Sequence, residues 1–243
     1  MIDKIPKVKM PEIEDNYTRM YMIDEKFVSL TDAGLLVDSQ YVQYGSLTDC
    51  YARETVANLL KMADKVARGV FGVRLLILDA YRPVSVQTAL WDKYYGELKV
   101  QYPDLAEEDL IQKVTQFVSQ PSEDIFHPSV HNTGGAVDVT LVRGDGTRLD
   151  MGTEFDDFSE KASTAYFEKS RSKSYLRNRR RILYTIMTSV GFTNLPSEWW
   201  HYDYGDAFWA YYTCQPRRHM KPLYSGITDD DFNRMYLKHG GII

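Results

Sequence analysis

Residues 135–142 place the tightest limit on how this chain can fold. They alternate Ala136, Asp138 and Thr140 with Val137, Val139 and Leu141, and they are rich in β-branched residues. A period of two puts successive side chains on opposite faces of a strand. The segment therefore reads as a strand with one apolar face and one face that carries an acid. A second strand is predicted at Val73-Arg74-Leu75-Leu76-Ile77-Leu78, an apolar run that follows Gly72 and ends at Asp79. Residues 192–194 and 199–204 read as further strands. Gly144-Asp145-Gly146 signals a tight turn that folds residues 147–149 back as a hairpin.

Helical patterns lie before and between these strands. Val56, Leu59, Leu60, Ala63 and Val66 give a helix over residues 51–69 one buried face. Pro83 opens a helix predicted through Leu98, and another covers about 104–118. Residues 175–190 form a fourth, closed by Gly191 as the residue after its C-cap. A short helix over 229–239 takes Thr228 as N-cap and Gly240 as its stop. This pattern predicts an α+β fold, a central antiparallel sheet carrying the functional site and flanked by helices. The expected organisation is a leading arm (1–27), one domain (28–215) and a C-terminal extension (216–243) packed on that domain.

Composition removes several classes of function. A hydrophobic share of 44% and a charged share of 26% are those of a globular chain able to bury a core. The net charge of −5 leaves no basic footprint for nucleic acid, and Arg177 with Arg179-Arg180-Arg181 reads as a solvated helix turn. No run approaches the roughly 20 apolar residues of a membrane span, and the first residues hold no continuous apolar stretch. A cytoplasmic protein with no membrane partner is expected, or a periplasmic one if a leader has been removed. Cys50 and Cys214 match no metal-ligand spacing and read as two reduced thiols.

The remaining polar residues concentrate into two segments. One holds Ser129, His131 and Asp138, and the other holds Glu198 and His201 in Glu198-Trp199-Trp200-His201. Two imidazoles and a carboxylate suit tetrahedral zinc with a fourth position open. Glu198, three residues before His201, is placed to move protons without being a ligand. Arg82, held by the turn at Pro83 after the strand ending at Asp79, offers a fixed guanidinium for a developing oxyanion. Singly, each of these residues has a bland alternative: a core-satisfied histidine, a core tryptophan, or an Asp79–Arg82 structural ion pair. Their joint occurrence is what points to a zinc peptidase.

These residues resemble the D-alanyl-D-alanine dipeptidases, relatives of the lysostaphin-type and hedgehog-fold zinc peptidases. The family pattern Ser-x-His-(x)6-Asp is similar to Ser129, His131 and Asp138, and its Glu-x-x-His element to Glu198 and His201. Asp-x-Tyr-Arg-Pro is matched at residues 79–83. Met151-Gly152-Thr153-Glu154-Phe155-Asp156 and Asn178-Arg179-Arg180-Arg181 extend the match over about residues 28–204. The resemblance implies one Zn2+ held by His131, Asp138 and His201, with Glu198 as general base and acid and Arg82 as oxyanion partner. It implies that Asp156 and Tyr41 receive the free ammonium of a dipeptide and that Ser129 contacts substrate near the metal. After Tyr41 the family carries Asn-Phe-x-Gly where this chain has Val42-Gln43-Tyr44-Gly45. The implied reaction is hydrolysis of D-Ala-D-Ala or a close D,D-dipeptide. The alternatives are a zinc carboxypeptidase or endopeptidase acting on peptidoglycan stem peptides and a non-catalytic zinc-bearing domain.

Overall fold

The computed structural model describes residues 23, 25–115, 118–157, 159–213 and 221–238. In chain order the elements are β1 (Phe27–Ser29), β2 (Leu36–Val37), β3 (Tyr51–Arg53), α1 (Glu54–Val66), β4 (Arg74–Asp79), α2 (Val84–Gln101) and α3 (Glu107–Val114). They continue with β5 (Ala136–Val142), α4 (Ser174–Ser189), β6 (Thr193–Asn194), β7 (His201–Asp203), α5 (Ala207–Thr213) and α6 (Asp229–Lys238). The fold is α+β. Its main sheet has the order β2-β4-β5-β7-β6, and β1 pairs with β3 in a separate ribbon.

The alternating segment becomes β5, the middle strand, and every residue in it is buried. Val137, Val139 and Leu141 pack with Leu60 and Ala63 of α1 and with Leu183, Ile186 and Met187 of α4. This layer between sheet and helices is the main core, and it exists because both helices present an apolar stripe to the sheet. The other side of β5 carries Asp138 and Thr140. Beside it, α2 and α3 close over a smaller cluster of Tyr41, Val86, Leu90, Val114 and Val118.

The sheet departs from the predicted one at its edge. β4–β5, β5–β7 and β6–β7 are antiparallel, but β2 lies parallel to β4, so the sheet is mixed. β2 is two residues long and half-buried, too short for its alternation to be legible in the sequence. Residues 51–53, predicted as the first turn of a helix, instead form β3. Arg53 has φ −55° and ψ 145°, and its amide is drawn to the Gly134 carbonyl. The helix then starts at Glu54 and ends in a wider turn over Ala67–Phe71. The predicted hairpin after Gly146 forms as a short one. Val142 and Arg148 pair in an antiparallel bridge, flanked by the Arg143 amide donating to the Thr147 carbonyl at 2.9 Å and the Leu149 amide to the Leu141 carbonyl at 2.8 Å. α5 was not anticipated; Asp206 caps it by accepting the Trp209 amide at 3.0 Å. α6 starts as predicted, with Thr228 Oγ1 accepting the Asp231 amide at 3.1 Å.

The basic run is not wholly solvated. Arg180 is buried against the Phe167 ring and donates to the carbonyls of Met151 and Ser163. Cys50 is a buried free thiol. Cys214, Gly240 and nearly all of the predicted leading arm lie outside the described residues. No helix among the described residues is long and apolar enough to cross a membrane.

Candidate active site

Asp138 and His201 face each other across the β5–β7 register, where they are direct partners. His131 arrives from a short 3-10 turn, Val130–Thr133, that enters β5 through Gly134. Gly134 has φ 72°, and a Cβ there would stand 2.3 Å from the Phe27 ring, so no other residue fits without displacement. This bend swings His131 over the strand end. His131 Nε2 lies 3.2 Å from His201 Nδ1 and 3.5 Å from Asp138 Oδ2, while His201 Nδ1 lies 3.0 Å from Asp138 Oδ1.

Those separations are informative. Ligand atoms 2.0–2.1 Å from a tetrahedral zinc stand roughly 3.3–3.4 Å apart. Each ring is also oriented from behind. His131 Nδ1 lies 2.8 Å from the Ala80 carbonyl and His201 Nε2 lies 2.7 Å from Asp203 Oδ1. Both outer nitrogens face acceptors, and protons held there leave His131 Nε2 and His201 Nδ1 to offer lone pairs inward to a metal that displaces the proton His201 Nδ1 otherwise shares with Asp138. Two lone pairs and a carboxylate oxygen this close repel one another unless a proton or a metal cation lies among them. The three residues are all buried, and they form a group able to hold a metal ion. Burial pushes His131 down to about 3, with the Arg82 charge adding to the effect. Burial also lowers His201, but the Asp203 and Asp138 carboxylates more than reverse it, so a cation and a proton compete for Nδ1.

Of the other predicted residues, Arg82, Glu198, Tyr41 and Asp156 line the same cleft. Arg82 is buried at its wall. Its Nε and Nη2 reach Asp79 Oδ2 at 3.0 and 2.7 Å, its Nη1 reaches Gln87 Oε1 at 2.9 Å, and its guanidinium lies 4.5 Å over the Tyr41 ring. The ion pair with Asp79 and the place in the cleft thus coexist. Glu198 Oε2 stands 4.0 Å from His201 Nδ1, and burial pushes its carboxyl up to about 7. The Tyr41 hydroxyl donates to both oxygens of Asp156, at 3.0 and 2.8 Å. Burial lifts Asp156 to about 6 despite the opposing pull of Tyr41 and Arg82. Asp156 is also the one non-glycine residue with positive φ, 60°, among the described residues. Ser129 is buried at the start of the 3-10 turn and is not among the residues that line the cleft.

Several participants carried no signal strong enough to be predicted. Asp203 lies two residues after His201, on the same strand face, and that spacing is its only mark. Gln87 follows Arg82 by five residues and is hidden inside a helix. Trp199 and Trp200 are both buried; Trp200 lines the cleft, and Trp199 Nε1 donates to Thr153 at 2.8 Å. His127 is exposed and pairs with Asp124, away from the cleft.

Residues 21–221 match the peptidase M15 family, described as D-ala-D-ala dipeptidase. A D-alanyl-D-alanine dipeptidase of Synechocystis sp. is 33% identical over 169 residues, covering 63% of this chain and 68% of that protein. One from Escherichia coli is 35% identical over 132 residues, covering 54% of this chain and 55% of that protein. One from Enterococcus faecalis is 30% identical over 155 residues, covering 61% and 70% respectively. With most of its length inside the match and its metal-competent residues gathered in one cleft, the chain belongs to the D-Ala-D-Ala dipeptidase family of metallopeptidases.

Proposed function

We propose that this protein hydrolyses D-Ala-D-Ala, or a close D,D-dipeptide, to free amino acids, with His131, Asp138 and His201 holding one zinc ion. The inward turn of two imidazole lone pairs beside the Asp138 carboxylate carries this reading. When bound, zinc supplies a Lewis acid that polarises the scissile carbonyl and lowers the pKa of water.

The chain's own residues do the rest. Glu198 takes a proton from the attacking water and passes it to the leaving amine, and a carboxyl raised to about 7 by burial suits both transfers near neutral pH. Arg82, fixed at three of its nitrogens by or beside Asp79 and Gln87, meets the charge that develops on the carbonyl oxygen. Asp156, with Tyr41 bonded to it, receives the substrate ammonium. Leu90, Tyr94 and Val118 of the α2–α3 region wall the cleft and limit its length. A short acidic-ended cleft favours a free dipeptide, because a longer chain would have to bury peptide where a cation is matched.

The test is D-alanine release from D-Ala-D-Ala by zinc-loaded protein, chelator-treated protein and Glu198→Ala. Turnover that needs zinc and falls by about 10²–10⁴ in Glu198→Ala, with zinc content retained, is the expected result. Loss of zinc together with activity in Glu198→Ala would remove its role as base.

A further inference from the structure

The family match ends at residue 221, yet the chain after it touches the site's framework repeatedly. The contacts fall beside Arg82 and His131. The Ile227 amide donates to Asn132 Oδ1 at 3.0 Å, and Asn132 Nδ2 in turn donates to the Arg82 carbonyl at 3.3 Å. Asn132 directly follows His131, whose own carbonyl accepts the Arg82 amide at 3.2 Å. Phe232 stacks on Tyr81, the residue before Arg82, with ring centroids 4.2 Å apart. A Cβ at Gly226 would stand 2.7 Å from Asn132 Oδ1 and from Pro128, so the segment passes as close as a backbone can.

The strongest contact is electrostatic. α2 begins immediately after Arg82-Pro83 and has no side-chain cap from its own flanking residues, since its N-cap position is Pro83. Asp229 supplies one from the far end of the chain. Its Oδ1 accepts the Val84 amide at 2.9 Å, and its Oδ2 accepts the Ser85 amide at 3.3 Å and the Ser85 hydroxyl at 2.7 Å. An acid at this end of a helix satisfies otherwise unpaired N–H groups and complements the helix dipole.

We infer that the segment from Gly226 to Phe232 is a strap that positions the Arg82 turn, and that Asp229 is its positioning residue for the reaction. This rests on the proposed peptidase reading and on Arg82 as oxyanion partner within it. No residue of the strap lines the cleft; it acts through the backbone that aims the guanidinium. A guanidinium that matters at the transition state must be aimed closely, because displacement by a fraction of an ångström weakens charge stabilisation before it weakens substrate binding.

The experiment compares wild type, Asp229→Ala and Asp229→Asn in D-Ala-D-Ala hydrolysis, with zinc content and melting temperature measured on each. Asp229→Ala should lower kcat on the order of tenfold with KM within about twofold and zinc retained. Affinity for a phosphinate analogue of the dipeptide should fall by the same factor as kcat. Asp229→Asn, whose one carbonyl oxygen still accepts the Val84 amide but whose Nδ2 cannot accept from Ser85, should recover part of kcat. If Asp229→Ala does not fold, Ser85→Ala carries the test, with a smaller loss in the same direction. Folded, zinc-loaded variants with unchanged kcat, or a loss that Asp229→Asn does not rescue, overturn the strap's role while leaving the peptidase reading intact. An inactive wild type overturns both.

Discussion

At the scale of single residues, the site depends on which atom of each side chain faces inward. His131 presents Nε2 and His201 presents Nδ1, opposite ring positions selected by the Ala80 carbonyl and the Asp203 carboxylate behind them. Asp156 is the other residue with an imposed state. It holds φ 60°, a conformation that Asp and Asn tolerate better than most residues, and burial lifts its carboxyl to about 6. Asp156→Asn keeps that backbone and the Tyr41 bond but removes the charge. Kinetics on free and N-acetylated dipeptides should show KM for the free ones rising about 10–100-fold, the N-acetylated ones changing far less. An equal change in both would take Asp156 out of the ammonium pocket. The same variant tests the raised carboxyl. A folded-state pKa above the unfolded value of about 3.9 means that Asp156's contribution to stability is fully present below that value. It is lost as pH rises through about 6. Asp156→Asn should therefore melt higher than wild type at pH 7.5, and the gap should close at pH 4.

At the scale of elements, long periodic runs were legible and short ones were not. β4, β5, α1 and α4 stand where their apolar spacing predicted, because each buries a continuous stripe against the others. β2 and β3, of two and three residues, are too short for periodicity to declare them, and partners distant in sequence decide their pairing. The turn between His131 and β5 depends on Gly134, whose φ is 72°. Gly134→Ala forces a Cβ toward the Phe27 ring in a left-handed conformation and should cost about 1–3 kcal/mol in denaturant unfolding. Because the same turn carries His131, zinc affinity should fall with it. A variant that kept both stability and zinc affinity would show that the bend can be made without glycine.

At the scale of the whole molecule, the three residues able to hold a metal ion come from a turn, the middle strand β5 and its neighbour β7. Zinc that binds only the folded arrangement must stabilise it by mass action, by about 2.7 kcal/mol at a free concentration 100 times Kd. Thermal melts should rise on adding zinc and fall with chelator, and His201→Ala should lose the response. A wild-type melt indifferent to zinc would argue against a site formed from these three ligands.

The sequence alone determined the helix faces, the two long strands, the α+β class and the kinds of donor available. All of these follow from spacing within a few residues or from residue type. His131, Asp138, Glu198 and His201 could be named together because short motifs keep them in order along the chain. Tertiary structure alone decided the rest: the parallel edge strand, Asp203 behind His201, the triple hold on Arg82, the inward burial of Arg180 and the return of Asp229 to α2. The physical reason is the range of the interactions. A cap supplied by a residue 145 positions away, or a strand paired through two residues, leaves no periodicity in the sequence. Such contacts form only after the core has brought the two segments together.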